Sequence, residues 1–183
     1  MKKRFFWYKG TPFLYLCKDM RQIRPAALSD IPSIMPVMAA AKRIMRDSGN
    51  LTQWEEGYPS ESVIRNDIQR GGGIVMEDDG QIVAYFAFLP SPEPTYSAVE
   101  GGHWQEDTLP YHVIHRIASL PDAHGVFSDM IAWCLSRENN LRIDTHRDNS
   151  IMQHCILKAG FRYCGIIHLA NGDERLAYQL IAR

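Results

Sequence analysis

No run in this sequence is long and apolar enough to cross a bilayer, which takes about 18 consecutive apolar residues. The nearest approach, Phe5-Phe6-Trp7-Tyr8 behind Lys2, Lys3 and Arg4, is interrupted by Lys9, Gly10, Pro12, Lys18 and Asp19. It stops short of the roughly 7–15 apolar residues of a secretory leader. Residues 1–19 are therefore expected to be a poorly ordered tail or an over-extended start, with the folded domain over 20–183. No C-x-x-C pair is present either. The four cysteines, Cys17, Cys134, Cys155 and Cys164, stand apart, which favours reduced thiols in a cytoplasmic protein over a disulfide or zinc framework. Neither sign of charge dominates. With 20 Lys and Arg against 21 Asp and Glu and a net charge of -1, no nucleic-acid or membrane-surface partner is expected, because both need a clustered basic patch. Gly71-Gly72-Gly73 precedes a strand rather than a helix and lacks the Lys-Ser/Thr of a phosphate-cradling loop, which argues against a nucleotide site. The seven histidines have no ligand spacing. His112 and His115, three apart on a strand, point to opposite faces, and no metal is expected.

What is present suits one domain of 183 residues with a core large enough to need no covalent staple. Ile23-Arg24-Pro25 reads as a short strand. Ser29 offers an N-cap to a helix whose apolar positions Ile31, Ile34, Met35, Met38, Ala41 and Met45 recur at helical spacing to about Asp47. Ser60 and Glu61 open a second helix, with Val63, Ile64 and Ile68 inward, closed by the glycines at 71–73. Ile74-Val75-Met76 and 82–89 flank Asp78-Asp79-Gly80 as a hairpin. The proline-rich stretch from Pro90 to Pro110 is a long loop, and long loops inside compact domains are often binding elements. A strand at 113–119 follows. Then come a helix with Phe127, Met130, Ile131, Cys134 and Leu135 in its stripe, a strand at 141–144, and a helix capped by Asn149 and stopped at Gly160. Two strands joined through Asn171-Gly172 end the chain. Such an order predicts an α/β or α+β layer on one sheet.

Several segments resemble the GNAT superfamily of N-acetyltransferases in order and spacing. They are His115-Arg116-Ile117-Ala118-Ser119, the Gly125 turn into an amphipathic helix, RIDTHRDN at 142–149, and Lys158-Ala159-Gly160-Phe161. The resemblance covers the chain from about Arg21 onward. It implies a mixed, mostly antiparallel central sheet of about seven strands flanked by about four helices. It further implies acetyl transfer from acetyl-CoA to a primary amine of a small molecule or peptide, with a homodimer compatible with the family. In that reading Ala123, His124, Gly125, Val126, Phe127 and Ser128 hold the pyrophosphate at a helix N-terminus, where unpaired N–H groups and the positive end of the dipole favour anions. The backbone of Ile117, Ala118 and Ser119 takes the pantetheine arm as an added strand, and Asn149 adds a hydrogen bond to it. Asp122 and Phe127 depart from the family's basic or amide position and its second small residue. They motivate an alternative, a catalytically silent acyl-CoA sensor or a protein-interaction domain on the same fold. An ordinary strand-to-helix turn is the plainest reading of that segment alone.

A protonated amine cannot attack a thioester, so a base must take its proton. His115, on the strand nearest the expected thioester, is the candidate catalytic base, with a purely structural histidine as the alternative. His112, Tyr85 and Glu100 are weaker candidates. Many family members place a tyrosine seven residues after the Asn to protonate the thiolate. Ile156 stands there in this chain, and Tyr163 is only a distant substitute. Trp54, Tyr58, Tyr85 and Trp104 are expected to contact the substrate, with Tyr96 and His103 on the same loop as Trp104, because loop aromatics often line pockets. Glu55 and Glu56 are placed to attract a cationic amine.

Overall fold

The computed structural model describes residues 21–182 in full, and the backbone of two strands before them, β1 (Lys3–Tyr8) and β2 (Thr11–Leu16). These two pair with each other as an antiparallel hairpin, separate from the main sheet. The tail expected at 1–19 falls partly on this hairpin, and residues 1, 2, 9, 10 and 17–20 lie outside the described residues.

The main sheet has seven strands in the order β3-β4-β5-β6-β7-β9-β8. They are β3 (Gln22–Pro25), β4 (Gly73–Asp78), β5 (Gln81–Pro90), β6 (His112–Ser119), β7 (Asn140–Thr145), β8 (Arg162–His168) and β9 (Glu174–Ile181). Only β6 and β7 run parallel. Among the described residues the four α-helices are α1 (Ile31–Asp47), α2 (Glu61–Gln69), α3 (Val126–Leu135) and α4 (Ser150–Lys158). Two helix starts follow the caps in the sequence: Ser60 accepts from the Val63 amide, and Asn149 accepts from the Met152 amide. Ser29 does not cap α1; it lies inside a 3-10 turn, Leu28–Asp30, and Asp30 stands at the N-cap. Asp79 and Gly80 both take positive φ in the β4–β5 turn, as a tight hairpin requires.

Period-two alternation sends each strand's side chains to opposite faces, and each face has its own cover. On one face α3 and α4 bring Met130, Ile131, Cys134 and Ile156 against Phe86, Phe88, Ile114, Leu141, Ile143 and Tyr178. Burial pushes the Cys134 thiol up to about 12, so it behaves as a small apolar group. On the other face α1 and α2 cover the β4–β5–β6 half with Ile31, Ile34, Val37, Met38 and Ile64 against Val75, Tyr85 and Ala118. The β7–β9–β8 half of that face is covered by the 91–111 loop, through Tyr96 and Trp104 packed on Val113, Cys164, Ile167 and Ala177.

That loop is bound tightly to the sheet. Trp104 Nε1 donates to the Tyr96 carbonyl at 3.0 Å. The Arg142 guanidinium stacks on Trp104 at 4.0 Å and on Tyr111 at 3.8 Å, a cation–π sandwich. Glu100 bridges to Ile166 on β8, and Gly102 lies so close to β8 that a Cβ would meet the Cys164 carbonyl at 2.1 Å. Most of the loop expected to bind ligand is therefore a structural cover.

Candidate active site

The site begins with a fault in β6. Its pairing with β5 shifts register so that Phe86 alone opposes Arg116 and Ile117, and Arg116 takes φ +54. One extra residue in a strand resets the alternation of side chains. Ile114 and Ile117, three apart, both pack on the α3 face, which a regular strand forbids. The two residues between them, His115 and Arg116, both project to the α1 face, where their partners lie.

On its other side β6 leaves β7. Their parallel pairing covers only His112–Leu141, Val113–Arg142 and Ile114–Ile143. From His115 onward the edge facing β7 has no strand partner, and the two strands splay. Leu120 donates its amide to Val83 on β5. By the alternation of an antiparallel ladder, the Ser119 N–H then points away from β5, into the gap.

The gap opens into a cleft of about 620 Å³. Its floor carries His115, Arg116, Ile117, Ala118 and Ser119 from β6, Asp144 from β7 and Arg175 from β9. The α1–α2 connection supplies Gln53, Trp54 and Tyr58, the 91–111 loop supplies Glu93 and Thr95, and α3 and α4 supply Val126, Phe127, Asn149, Ile151 and Met152. The α1–α2 connection is tied down by Lys42, whose Nζ donates to the carbonyls of Glu55 and Tyr58.

Two polar networks fill the floor. In the first, Arg116 grips Asp67 of α2 through Nε to Oδ2 at 2.6 Å and Nη2 to Oδ1 at 2.7 Å. This bidentate geometry is the strong form of such a pair. Tyr85 donates to the same carboxylate at 2.9 Å, and Arg116 Nη1 reaches the Tyr58 hydroxyl at 3.4 Å. Burial, then the Asp67 carboxylate, push the Tyr85 hydroxyl well above its ordinary value, so it serves as a donor.

In the second network His115 lies between two carboxylates. Its Nε2 is 3.4 Å from Glu93 Oε2, and its Nδ1 is 3.5 Å from Asp144 Oδ1. Tyr96 donates to Asp144 at 2.7 Å, and Thr95 donates to Glu93 through Oγ1 at 3.0 Å. The hydrogen bond to His115 is the main cause that holds the Glu93 carboxyl at about 2, so Glu93 is ionised at neutral pH. A proton arriving on either ring nitrogen meets a carboxylate.

The tip expected to hold the pyrophosphate lies at the start of α3. Gly125 is the N-cap with φ +77, a conformation that favours glycine, and only Arg21 Nη1, at 3.8 Å, approaches the place of its missing Cβ. Val126 and Phe127 line the cleft, with the Phe127 ring packed against the α3-face core, while Ala123, His124, Gly125 and Ser128 lie outside its lining. Asp122 is exposed. Asn149 caps α4 and also donates Nδ2 to Gln53 at 2.9 Å, which joins α4 to the α1–α2 connection.

Several expected residues lie elsewhere. Tyr85 and Trp104 are buried outside the cleft lining and spend their polar groups inside the protein. They act on the site only through Asp67 and through the loop. Tyr163 is exposed on β8 against Tyr178, and Ile156 is fully buried in the core. Glu100 pairs with His168 at 2.8 Å on the β8 side. His112 stacks on Phe88. Glu55, Glu56 and His103 face solvent. Sequence reasoning missed Asp67, Glu93, Arg116, Asp144 and Arg175. Asp67 was detectable as a carboxylate three residues after Ile64, in the helix's inward stripe, and Arg175 as a charge two residues before the buried Ala177.

The fold matches that of known acetyltransferases. A GNAT-family acetyltransferase from Streptococcus agalactiae superposes with a TM-score of 0.82 at 33% identity, covering 92% of this chain and 99% of that one. One from Listeria monocytogenes gives 0.65 at 18% identity over 98% and 100% of the two chains. A ribosomal-protein-alanine N-acetyltransferase from Brucella melitensis gives 0.56 at 18% identity over 88% and 99%. No protein-family model matches the sequence, and no curated protein matches it. The chain belongs to the GNAT family of acetyltransferases.

Proposed function

We propose that the chain transfers an acetyl group from acetyl-CoA to a primary amine of a small molecule or peptide. The observation that carries this reading is the splay of β6 from β7 immediately beside the Arg116–Ile117 bulge. An unpaired strand edge next to the N-terminus of α3 suits an extended amide arm ending in an anion. Acetyl-CoA supplies the activated acetyl group as a thioester.

The chain's own residues do the rest. Ser119 offers an amide N–H on the open edge. The start of α3, with Gly125 open to approach, faces the phosphates. His115 takes the proton that the attacking ammonium must lose, since a lysine-type amine holds it up to a pKa of about 10.4. One of the two carboxylates, Glu93 or Asp144, orients the imidazole by accepting its N–H, the other ring nitrogen takes the proton from the amine, and both carboxylates stabilise the imidazolium that forms. Arg116 is neutralised by Asp67, so it fixes the bulge and leaves the cationic substrate unrepelled. Trp54 and Tyr58 form the apolar wall.

Two features favour a second reading, a silent acyl-CoA sensor or interaction domain: the Asp122 carboxylate beside the tip, and Ile156 where many relatives carry a tyrosine. Thiol release from acetyl-CoA over a panel of amines, with calorimetry of acetyl-CoA binding, separates the two. Turnover on any amine supports the enzyme. Binding without turnover supports the sensor. Unchanged affinity in Gly125→Glu removes the phosphate assignment.

A further inference from the structure

The cleft contains a buried arginine whose one carboxylate neighbour among the described residues, Asp173, stands at the long distance of 3.6 Å. Arg175 is 5% exposed. By the alternation of β9, in which Leu176 and Tyr178 pack on the α3 face, it projects to the same face as His115 and Asp144. Its Nη1 donates to the Glu174 carbonyl at 2.9 Å and its Nη2 to the Gln53 carbonyl at 3.4 Å. Both acceptors are neutral. The carboxylate it approaches, Asp173, lies at 3.6 Å, beyond hydrogen-bond reach, and is 43% exposed.

Arg116 and Arg142 differ. Arg116 holds Asp67 in a fork, and Arg142 has Asp107 at 2.8 Å together with two aromatic rings. Among the described residues, Arg175 is the buried arginine of the cleft lining with no carboxylate at hydrogen-bond distance. A guanidinium so buried is costly unless paired, and its planar fork suits a carboxylate. It sits beside a wall of opposite sign. Asp144 pairs with Ala177 across β7 and β9, so strand spacing sets the Cα atoms of Asp144 and Arg175 about 8 Å apart. Glu93 and His115 complete that wall.

We infer that the amine acetylated here carries its own carboxylate: a free amino acid whose ammonium meets the Glu93–His115–Asp144 wall and whose carboxylate docks on Arg175. This deepens the acetyltransferase reading and rests on it. A diamine would leave Arg175 with only the distant, half-exposed Asp173, and an amino-acid amide would offer it only a neutral oxygen.

The test uses the full chain, acetyl-CoA and matched amines. These are the common α-amino acids, β-alanine and 4-aminobutanoate, their carboxamides, and 1,4-diaminobutane. At least one free acid is expected to show a kcat/KM about tenfold to a hundredfold above that of its amide, the range of a charge-assisted hydrogen bond. Arg175→Met is expected to bring that ratio to about one, chiefly through KM, and Arg175→Lys to restore part of it. A structural role alone would lower both substrates together and leave the ratio intact. If Arg175→Met does not fold, the acid-to-amide ratio of the unaltered protein decides. Equal turnover of acid and amide, or preference for the diamine, overturns this substrate class and leaves acetyl transfer standing. If no amine turns over, calorimetry of the same acid and amide pairs on the CoA-saturated protein decides. Binding of acid but not amide upholds the Arg175 assignment while acetyl transfer falls, and binding of neither overturns it.

Discussion

Along β6, Val113 and Ile114 are buried between β5 and β7, whereas residues 115–119 keep β5 on one side and have the cleft on the other. The two halves are covalently continuous and only a few residues long, yet their side chains obey different constraints. The first half alternates strictly and fills two cores. The second begins with a bulge, sends two consecutive polar residues to one face, and offers an amide to a ligand. The difference teaches that a strand becomes a site where its ladder stops. Hydrogen bonds no longer needed to hold the sheet become available to a substrate, and polar side chains kept out of the core face the opening. The bulge itself is held by Asp67, which reaches it from α2 and is shared with Tyr85.

Neighbouring substitutions test this contrast most directly. His115→Gln is expected to lower kcat/KM about 10²- to 10⁴-fold, the usual range for a lost general base, with little change in melting temperature. Ile114→Ala, one residue earlier, is expected to cost about 2–5 kcal/mol of stability in chemical denaturation. Should His115→Gln lower the melting temperature substantially while the folded protein keeps its turnover, the division of β6 is wrong. Next in size is Asp67→Ala, which strands Arg116 beside the cleft and is expected to cost about 3–5 kcal/mol. Replacing both residues by leucine should recover most of that stability without recovering activity, because the bulge then lacks its polar anchor. A double-mutant cycle read by denaturation and thiol release measures both.

A smaller effect is expected at the tip of α3. Gly125→Ala forces an L residue into φ +77 at a cost of about 1–2 kcal/mol. Steric conflict is not the cause, since the Cβ position is open. Gly125→Glu is expected to cost the same in stability and in addition to weaken acetyl-CoA binding by repulsion, so the two variants separate backbone strain from electrostatics. Smallest is an acid effect. Glu93 is depressed to about 2 in the folded protein, chiefly by its hydrogen bond to His115. Its contribution is therefore complete above the ordinary carboxylate range near 4.5 and is lost as pH falls from there toward 2. Denaturation midpoints measured from pH 6 down to pH 2.5 should fall less steeply in Glu93→Gln.

Most of the fold from β3 onward was legible in the sequence. The stripe Ile31, Ile34, Met38 predicted α1, Ser60 and Asn149 marked helix starts, and Asp79-Gly80 marked a turn, because each of these signals depends on neighbours within one or two turns of chain. The candidate site was legible in part. His115, Trp54, Tyr58, Asn149 and the 117–119 backbone do meet in one cleft. Tyr85 and Trp104 do not, since an aromatic in a strand or loop gives no local sign of whether it faces a ligand or a core. The long loop divides for the same reason: Glu93 and Thr95 line the cleft, whereas Gly102 packs backbone to backbone on β8, a contact more than sixty residues away in sequence.

Sequence alone determined the element order from β3 onward, the caps Ser60 and Asn149, the turn chemistry and the family resemblance, all of them short-range patterns set by backbone preference and hydrophobic spacing. Tertiary structure decided which charges meet. Asp67 finds Arg116 from 49 residues away, Glu93 and Asp144 enclose His115, and Arg175 reaches the cleft without a carboxylate hydrogen-bonded to it. Such pairings depend on register, on one bulge and on where two parallel strands separate, and the energies that fix those features are summed over the whole sheet rather than encoded in any one segment.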